Sequence, residues 1–317
     1  MPSMWYFMFM YLISFIVVMS SEDWFMVWLG LEINMMSFLI LIYKRYDIKM
    51  IESCMKYFFI QSLGSALMMS ILYLDWVMIG GLCLLILSYK VGAGPFFYWF
   101  PSVCGGLDWL SCYMLMFFQK FLPLGLIYMF IHWFVWILVL VGLLVGVLGS
   151  FNQSNIKELL AYSSIHHLGW IMLIMMKGNL SWMLYLLMYG LVLFSIIHVL
   201  ILNNIIYFYM MYKCKNKIWF ILGMLSMAGM PPLLGFFLKW MALMNIMNLG
   251  LMYVVMLVLV SVIMLYIYIR MIYDVIMGSS MKSLWIDKGL ILYGKEGDML
   301  GMMGLFLGLF FMIYIVM

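Results

Sequence analysis

The stretch Ser88–Trp99 reads SYKVGAGPFFYW and places a lysine, two glycines and a proline inside a long apolar run. A lysine at the centre of a bilayer costs at least about 2.5 kcal/mol, and a proline inside a helix costs about 3 kcal/mol. Both costs are tolerable where a membrane helix is interrupted beside a polar cavity. We therefore predict a discontinuous helix here, with Lys90 beside a break formed by Gly92, Gly94 and Pro95.

The composition of the whole chain is that of a membrane protein. Hydrophobic residues make up 69% of the 317 residues and charged residues only 9%, which is too little polar surface to cover a soluble globule. Apolar runs of roughly 20 residues alternate with short polar clusters, whereas the strands of a membrane barrel are about half as long. The expected fold is an all-α, polytopic helical bundle.

Charges and turn residues divide this bundle into about eleven predicted transmembrane spans. Basic residues in the connections fall on one side of the membrane, except Lys177, so the positive-inside rule places the N-terminus on the cytoplasmic or matrix side. The predicted spans are 4–20, 24–43, 54–74, 76–100, 109–130, 132–149, 159–176, 181–206, 218–246, 249–276 and 300–317.

Charged residues fall deep inside four of these spans, namely Glu32, Lys90, Lys120 and Lys239. Lys120, for example, lies twelve residues from both Asp108 and His132, or about 18 Å of helix from either end. A single lysine near a helix end can extend its ammonium to the membrane interface, and that alternative stays open for each residue alone. Four central charges in one chain favour buried proton sites, so we identify these residues as candidates for proton translocation.

A second interrupted helix is predicted at residues 227–239, which read MAGMPPLLGFFLK. Its breakers are Gly229, Pro231 and Pro232, just before Lys239. A cluster of this kind taken alone is often an ordinary kink, but these two clusters fall in the fourth and ninth predicted spans. We therefore expect two inverted five-helix repeats, 1–130 and 131–278, each with one discontinuous helix. An inner loop and a final span at 279–317 complete a single membrane domain.

The cysteines and histidines do not indicate a redox or metal site. The five cysteines are scattered without a C-x-x-C pair, and the four histidines lack the spacing that holds paired haems. We expect no cofactor in this chain. The 40 methionines are consistent with a mitochondrial genetic code that reads an isoleucine codon as methionine.

Five motifs together resemble those of the antiporter-like subunits of respiratory NADH:ubiquinone oxidoreductase, complex I. They are WLGLEINMMSF, SYKVGAGPFFYWFPSV, QKFLPL, YSSIHHLGW and AGMPPLLGFFLKW, in the family's order. The resemblance implies a proton-translocating subunit of the membrane arm, without a redox centre of its own. It also implies that Glu32 and Lys90 form an interacting pair, that Lys120 is the central relay, and that Lys239 serves the second half.

Two histidines and a set of partners follow from the same resemblance. His167 matches the family histidine after YSSI, whereas His166 is additional, and each is either a proton relay or a structural histidine. Phe97 stands where many family members have histidine.

The resemblance also implies the partners and the location of the chain. Expected partners are other membrane-arm subunits of complex I, including neighbouring antiporter-like ones, and lipids, but no nucleic acid. The expected location is the mitochondrial inner membrane. A free-standing cation/proton antiporter subunit and a purely structural membrane subunit remain as alternatives.

Overall fold

The chain folds into a helical bundle in a computed structural model that describes residues 2–45, 47–71, 76–131, 133–177, 180–214, 216–231, 233–246 and 251–277. Within these ranges the regular structure is helical, apart from one isolated bridge between Asn155 and Tyr207, and no strand is present. The predicted all-α fold is therefore confirmed. The predicted final span, 300–317, and the loop before it lie outside the described residues.

The first compact unit, Met1–Val145, follows the predicted spans with shifted ends. The sequence places residues 48–53 in a loop, but they form the first turns of the third helix, where Glu52 and Lys56 make an i,i+4 ion pair on the surface. The helices are α1 (Pro2–Ser20), α2 (Trp24–Ile42), α3 (Ile48–Ile71), α4 (Trp76–Val91), α5 (Trp99–Gly106), α6 (Trp109–Met116), α7 (Phe118–Met129) and α8 (Val135–Ser150), the last of which continues into the second unit.

The second compact unit, Gly146–Met317, contains the remaining described helices. They are α9 (Ile156–Met175), α10 (Ser181–Leu202), α11 (Lys217–Ala228), α12 (Leu234–Ile246) and α13 (Leu251–Met277). Helix α9 begins three residues before its predicted start because Asn155 caps it by accepting a hydrogen bond from the amide of Lys157. Helix α10 ends before its predicted end, and the chain after it pairs with the start of α9 through Ile206 and Phe208.

A glycine, not a proline, ends the first interrupted helix. Gly92 has a φ of +74°, a left-handed conformation that favours glycine. The Gly92 amide donates to the Tyr89 carbonyl at 3.2 Å and the Ala93 amide to the Ser88 carbonyl at 2.9 Å, which is the bonding pattern of a Schellman cap. A 3-10 turn, Gly94–Phe96, follows with Pro95 inside it, and the chain bends by 91° before α5.

The second interrupted helix ends in the same way. Gly229 has a φ of +84°, its amide donates to the Ser226 carbonyl, and the Met230 amide donates to the Leu225 carbonyl, each bond 3.1 Å long. Pro231 lies in the turn that follows, while Pro232 is outside the described residues. Prolines placed just after a cap prevent the helix from resuming. Helix α12 therefore starts separately, at Leu234.

An irregularity that the sequence did not predict divides the span 109–130. Phe117 has φ −115° and ψ −68°, and it separates α6 from α7. By length and composition, four segments of the described chain can each cross a membrane, and the bent pair at Gly92 makes a fifth. They are Trp24–Ile42, Trp109–Met129, Ser181–Leu202 and Val254–Met277. The count of eleven spans stays a prediction.

One surface ion pair connects two loops of the first unit. Lys44, after α2, bonds to Asp108, before α6, and this hydrogen bond raises the pKa of the Lys44 ammonium. Both side chains are exposed, so the pair contributes little to stability. The pair does place the end of α2 and the start of α6 on the same side of this unit. The predicted spans likewise put the connection after residue 43 and the connection before residue 109 on one side of the membrane.

We expect Gly235→Ala to destabilise the second unit by about 1–3 kcal/mol, because a β-carbon at residue 235 would overlap the backbone carbonyl of Ser226. Helices α11 and α12 would have to move apart. Gly80→Ala is the matched control, since no atom lies within 4 Å of a β-carbon there. Thermal unfolding of the purified protein tests the prediction, and equal Tm values for the two variants would contradict it.

Candidate functional site

The three lysines predicted at depth are buried in the protein. The exposed fractions are 5% for Lys90, 2% for Lys120 and 8% for Lys239, so none of these side chains extends to the surface. Glu32 is different, because its side chain is only partly buried. Each buried amine therefore depends on polar groups of the protein, or on water inside it, for its hydrogen bonds.

Two of these lysines line one small cavity in the first unit. Lys90 reaches it from α4 and Lys120 from α7. The volume of about 20 Å³ is enough for a water molecule. The polar residues of the wall, besides the lysines, include Asn34, Gln61 and Gln119. The two lysines thus line one space, whose mostly apolar wall carries a few polar side chains.

Side chains from neighbouring helices donate to carbonyls at the first break, one of which, that of Tyr89, also accepts the Gly92 amide. The Nε2 of Gln61, on α3, donates to the Lys90 carbonyl at 2.9 Å. The Nε1 of Trp99, on α5, donates to the Tyr89 carbonyl at 3.2 Å. The last turn of α4, which carries Lys90, is therefore bonded to both α3 and α5.

The interaction between Glu32 and Lys90 that the resemblance implies stays a prediction. The structure describes both residues, and no ion pair within 4.0 Å joins them. The cavity that Lys90 lines is also lined by the polar residues Asn34, Gln61 and Gln119.

The surroundings of Lys120 combine an aromatic ring with unused polar groups. Its Nζ lies 4.6 Å from the centroid of the Phe100 ring, a cation–π arrangement. The adjacent Gln119 has a buried Nε2 without a hydrogen-bond partner in the part of the chain that the structure describes. Pro123, four residues later, has no N–H for the Gln119 carbonyl. Helix α7 thus offers both a donor and an acceptor beside Lys120.

In the second unit the lysine side chain itself donates a hydrogen bond to a carbonyl at the end of the interrupted helix. The Nζ of Lys239, on α12, donates to the Ala228 carbonyl at 2.5 Å, and Ala228 is the last residue of α11. The C-terminal end of a helix carries partial negative charge, which favours an ammonium there. Lys239 follows its break by ten residues, whereas Lys90 precedes Gly92 by two. Lys90 thus lies in the last turn of α4, whereas Lys239 lies on α12 and its amine reaches the end of α11.

The two histidines of α9 have different partners. The Nε1 of Trp170 donates to the Nε2 of His166 at 3.1 Å, so this nitrogen acts as an acceptor. The Nδ1 of His167 lies 2.9 Å from the hydroxyl of Tyr185, on α10. A proton can reach the bonded nitrogen of His166 only if the Trp170 bond breaks, whereas a hydroxyl can either donate to His167 or accept from it.

One further buried lysine was assigned to a connection by the sequence. Lys157 lies in the first turn of α9 and is buried.

No cluster of three or more His, Cys, Asp or Glu residues is arranged to hold a metal ion within the described ranges.

The fold and the site together define a helical membrane protein whose buried lysines lie at interrupted helices. The sequence matches the family described as "NADH:quinone oxidoreductase/Mrp antiporter, TM" over residues 21–78 and 71–264. The chain belongs to this family, and the resemblance based on the five motifs is thereby confirmed.

Similar proteins cover most of the chain. NADH-ubiquinone oxidoreductase chain 2 of Anopheles gambiae is 38% identical over 303 residues, covering 89% of this chain and 88% of that protein. The protein of the same name from Aedes aegypti is 35% identical over 292 residues, with 86% and 85% covered.

Two solved structures share the fold. A chain of respiratory complex I from Thermus thermophilus has a TM-score of 0.78 and 23% identity, covering 92% of this chain and 74% of that one. A chain of the Mrp complex from Dietzia has a TM-score of 0.70 and 16% identity, with 83% and 57% covered.

We expect Gln61→Met to destabilise the first unit by about 1–3 kcal/mol, because the Lys90 carbonyl would remain buried without its donor. Methionine keeps the length of the side chain and removes the amide. Ser62→Ala is the control on the same helix, and it should have the smaller effect because it removes a bond from the hydroxyl to the Phe59 carbonyl within the same helix. Thermal unfolding and hydrogen exchange at Gly92 and Ala93 measure the effect, and unchanged exchange in Gln61→Met would contradict the role of this bond.

Proposed function

We propose that the chain is a core membrane-arm subunit of respiratory complex I and translocates protons through its buried charged residues. The observation that carries this proposal is the burial of three lysines beside interrupted helices. Buried amines are costly, and in membrane proteins they mark proton and ion paths. The identity of 38% and 35% to proteins named NADH-ubiquinone oxidoreductase chain 2 supports the assignment to complex I.

In the first unit, protons pass between Lys90 and Lys120 through water in their shared cavity. A nearby carboxylate favours a protonated lysine, and desolvation favours the neutral amine. Movement of Glu32 relative to Lys90 therefore decides whether that ammonium keeps its proton. When the proton leaves, a water molecule in the cavity accepts it and a neutral Lys120 amine takes it up.

In the second unit, Lys239 accepts and releases protons while staying bonded to the backbone. A neutral amine retains two N–H groups, so it can donate to the Ala228 carbonyl in either protonation state. The Ala228 carbonyl thus keeps its hydrogen-bond donor while Lys239 gains and loses its proton. His167 is the proposed relay partner in this unit, with Tyr185 as the group that orients its ring. His166 has a structural role, because its Nε2 accepts from the Trp170 indole, which can donate a hydrogen bond but cannot accept one.

The proposed architecture is eleven transmembrane helices with two inverted five-helix repeats. The identical glycine caps at the ends of α4 and α11 support the repeat. The chain lies in the mitochondrial inner membrane with its N-terminus on the matrix side, beside other membrane-arm subunits. Electron transfer takes place in those other subunits of the complex, and this chain contributes the proton path.

A free-standing cation/proton antiporter subunit is the second candidate. The family description includes Mrp antiporters, and the Dietzia Mrp chain shares the fold. At 16% identity that likeness concerns the fold alone, whereas the insect relatives cover most of the chain at more than twice that identity. Purification from the native membrane discriminates the two candidates. NADH dehydrogenase activity should accompany this chain, and its absence would favour the antiporter.

We expect Lys239→Met to reduce proton pumping by at least about tenfold, because methionine cannot carry the proton that this position must accept and release. Proton-to-electron stoichiometry in reconstituted vesicles measures the effect. Lys56→Met removes an exposed lysine and should pump normally. Wild-type stoichiometry in a normally assembled Lys239→Met complex would refute the proposed role.

The orientation can be tested with introduced cysteines. Cys214 lies between two basic residues and invites such labelling, but it is only 2% exposed, and burial raises the pKa of its thiol to about 11. All five native cysteines are buried, so the background is low. Tyr209→Cys, at a position 67% exposed, should react with a membrane-impermeant thiol reagent from the matrix side only. Trp133→Cys should react from the opposite side, and the reverse pattern would invert the topology.

A further inference from the structure

We infer that Gly64 is a positioning residue for Lys90, because its bare backbone forms the surface over which the lysine side chain lies. The inference rests on the proposed function, in which the location of the Lys90 ammonium governs proton transfer. Gly64 belongs to α3, away from both interrupted helices, and it is outside the five family-like motifs.

The contact between Gly64 and Lys90 leaves no room for a side chain. A β-carbon at residue 64 would lie 2.9 Å from the Cγ and 3.0 Å from the Cε of Lys90. Ordinary van der Waals contacts between carbon atoms begin at about 3.5 Å. The aliphatic part of the lysine therefore passes directly over the backbone of α3.

The same helix also holds the backbone of Lys90. Gln61 lies three residues before Gly64, on the same side of α3, and donates to the Lys90 carbonyl. One face of α3 thus contacts Lys90 twice, at its carbonyl and along its side chain. Because the carbonyl is held, a methyl group at residue 64 would turn the side chain of Lys90 and shift its ammonium in the cavity shared with Lys120.

Close helix packing alone does not account for this glycine. The atoms nearest to a β-carbon at Gly64 belong to the side chains of Lys90 and Tyr89. At Gly106, by contrast, the nearest atom is the backbone carbonyl oxygen of Lys49, at 2.8 Å, as expected where glycine lets two backbones approach. What Gly64 accommodates is a buried charged side chain.

The second unit contains a related contact. A β-carbon at Gly229 would lie 2.8 Å from the Cδ and 3.1 Å from the Nζ of Lys239. In each unit, therefore, the lysine chain lies against a glycine. Substitution at Gly229 would also strain the backbone, since its φ is +84°. Gly64 has no such conformational constraint and alanine favours helices, which makes it the cleaner position to test.

The test compares Gly64→Ala with Gly81→Ala in the assembled complex. The nearest atom to a β-carbon at Gly81 is 3.9 Å away, on the ring of Phe134, so this control should behave as wild type. Gly64→Ala should reduce the pumping rate roughly tenfold, because a small misplacement of a reacting group has large effects. It should also shift the pH profile of coupled turnover, which a defect in packing alone would not move.

Variants in the Lys90→Ala background separate the possible outcomes. Normal pumping by Lys90→Ala would refute the proposed function. Impaired pumping by Lys90→Ala, together with a wild-type pH profile and rate in Gly64→Ala, would overturn only the inference about Gly64.

A double-mutant cycle on thermal stability is the second test. If Gly64 acts through Lys90, adding Gly64→Ala to Lys90→Ala should cause no loss of Tm, and a further loss would assign Gly64 to helix packing and overturn the inference.

Discussion

A helix that stops inside a helical bundle leaves carbonyl groups without donors, and the arrangement of this protein depends on how those groups are satisfied. Glycine caps at Gly92 and Gly229 close part of each helix end with backbone bonds. A side chain donates to one further carbonyl at each break, from Gln61 at the first and from Lys239 at the second. The polar groups needed to end the helices are therefore also the groups that make a buried charge tolerable.

The two units use this solution differently. In the first unit glutamine bonds the backbone, so the amine of Lys90 is left to face a cavity that it shares with Lys120. In the second unit the lysine performs the backbone bonding directly. The first arrangement suits exchange of a proton with an adjacent lysine through water. The second suits a site where protonation changes while the local backbone does not.

Composition and charge were enough to predict an all-α membrane protein, and the central positions of Lys90, Lys120 and Lys239 followed from counting along the spans. The interruptions were visible as Pro/Gly clusters, but the sequence could not tell which residue ends each helix, because a cap depends on backbone torsion angles. The bond between Trp170 and His166 could have been predicted from the sequence, because residues four apart on a helix are neighbours. Gly64 gave no signal, since its role arises only where α3 meets a lysine from another helix.

The small size of the cavity between Lys90 and Lys120 has a consequence for pharmacology. Drug-sized ligands occupy pockets of about 300–1,000 Å³, whereas this cavity of about 20 Å³ admits a water molecule. An inhibitor of this subunit cannot therefore compete for the lysines in the conformation described. It would have to bind a conformation with a larger cavity, and its affinity would be reduced by the fraction of molecules that adopt that conformation.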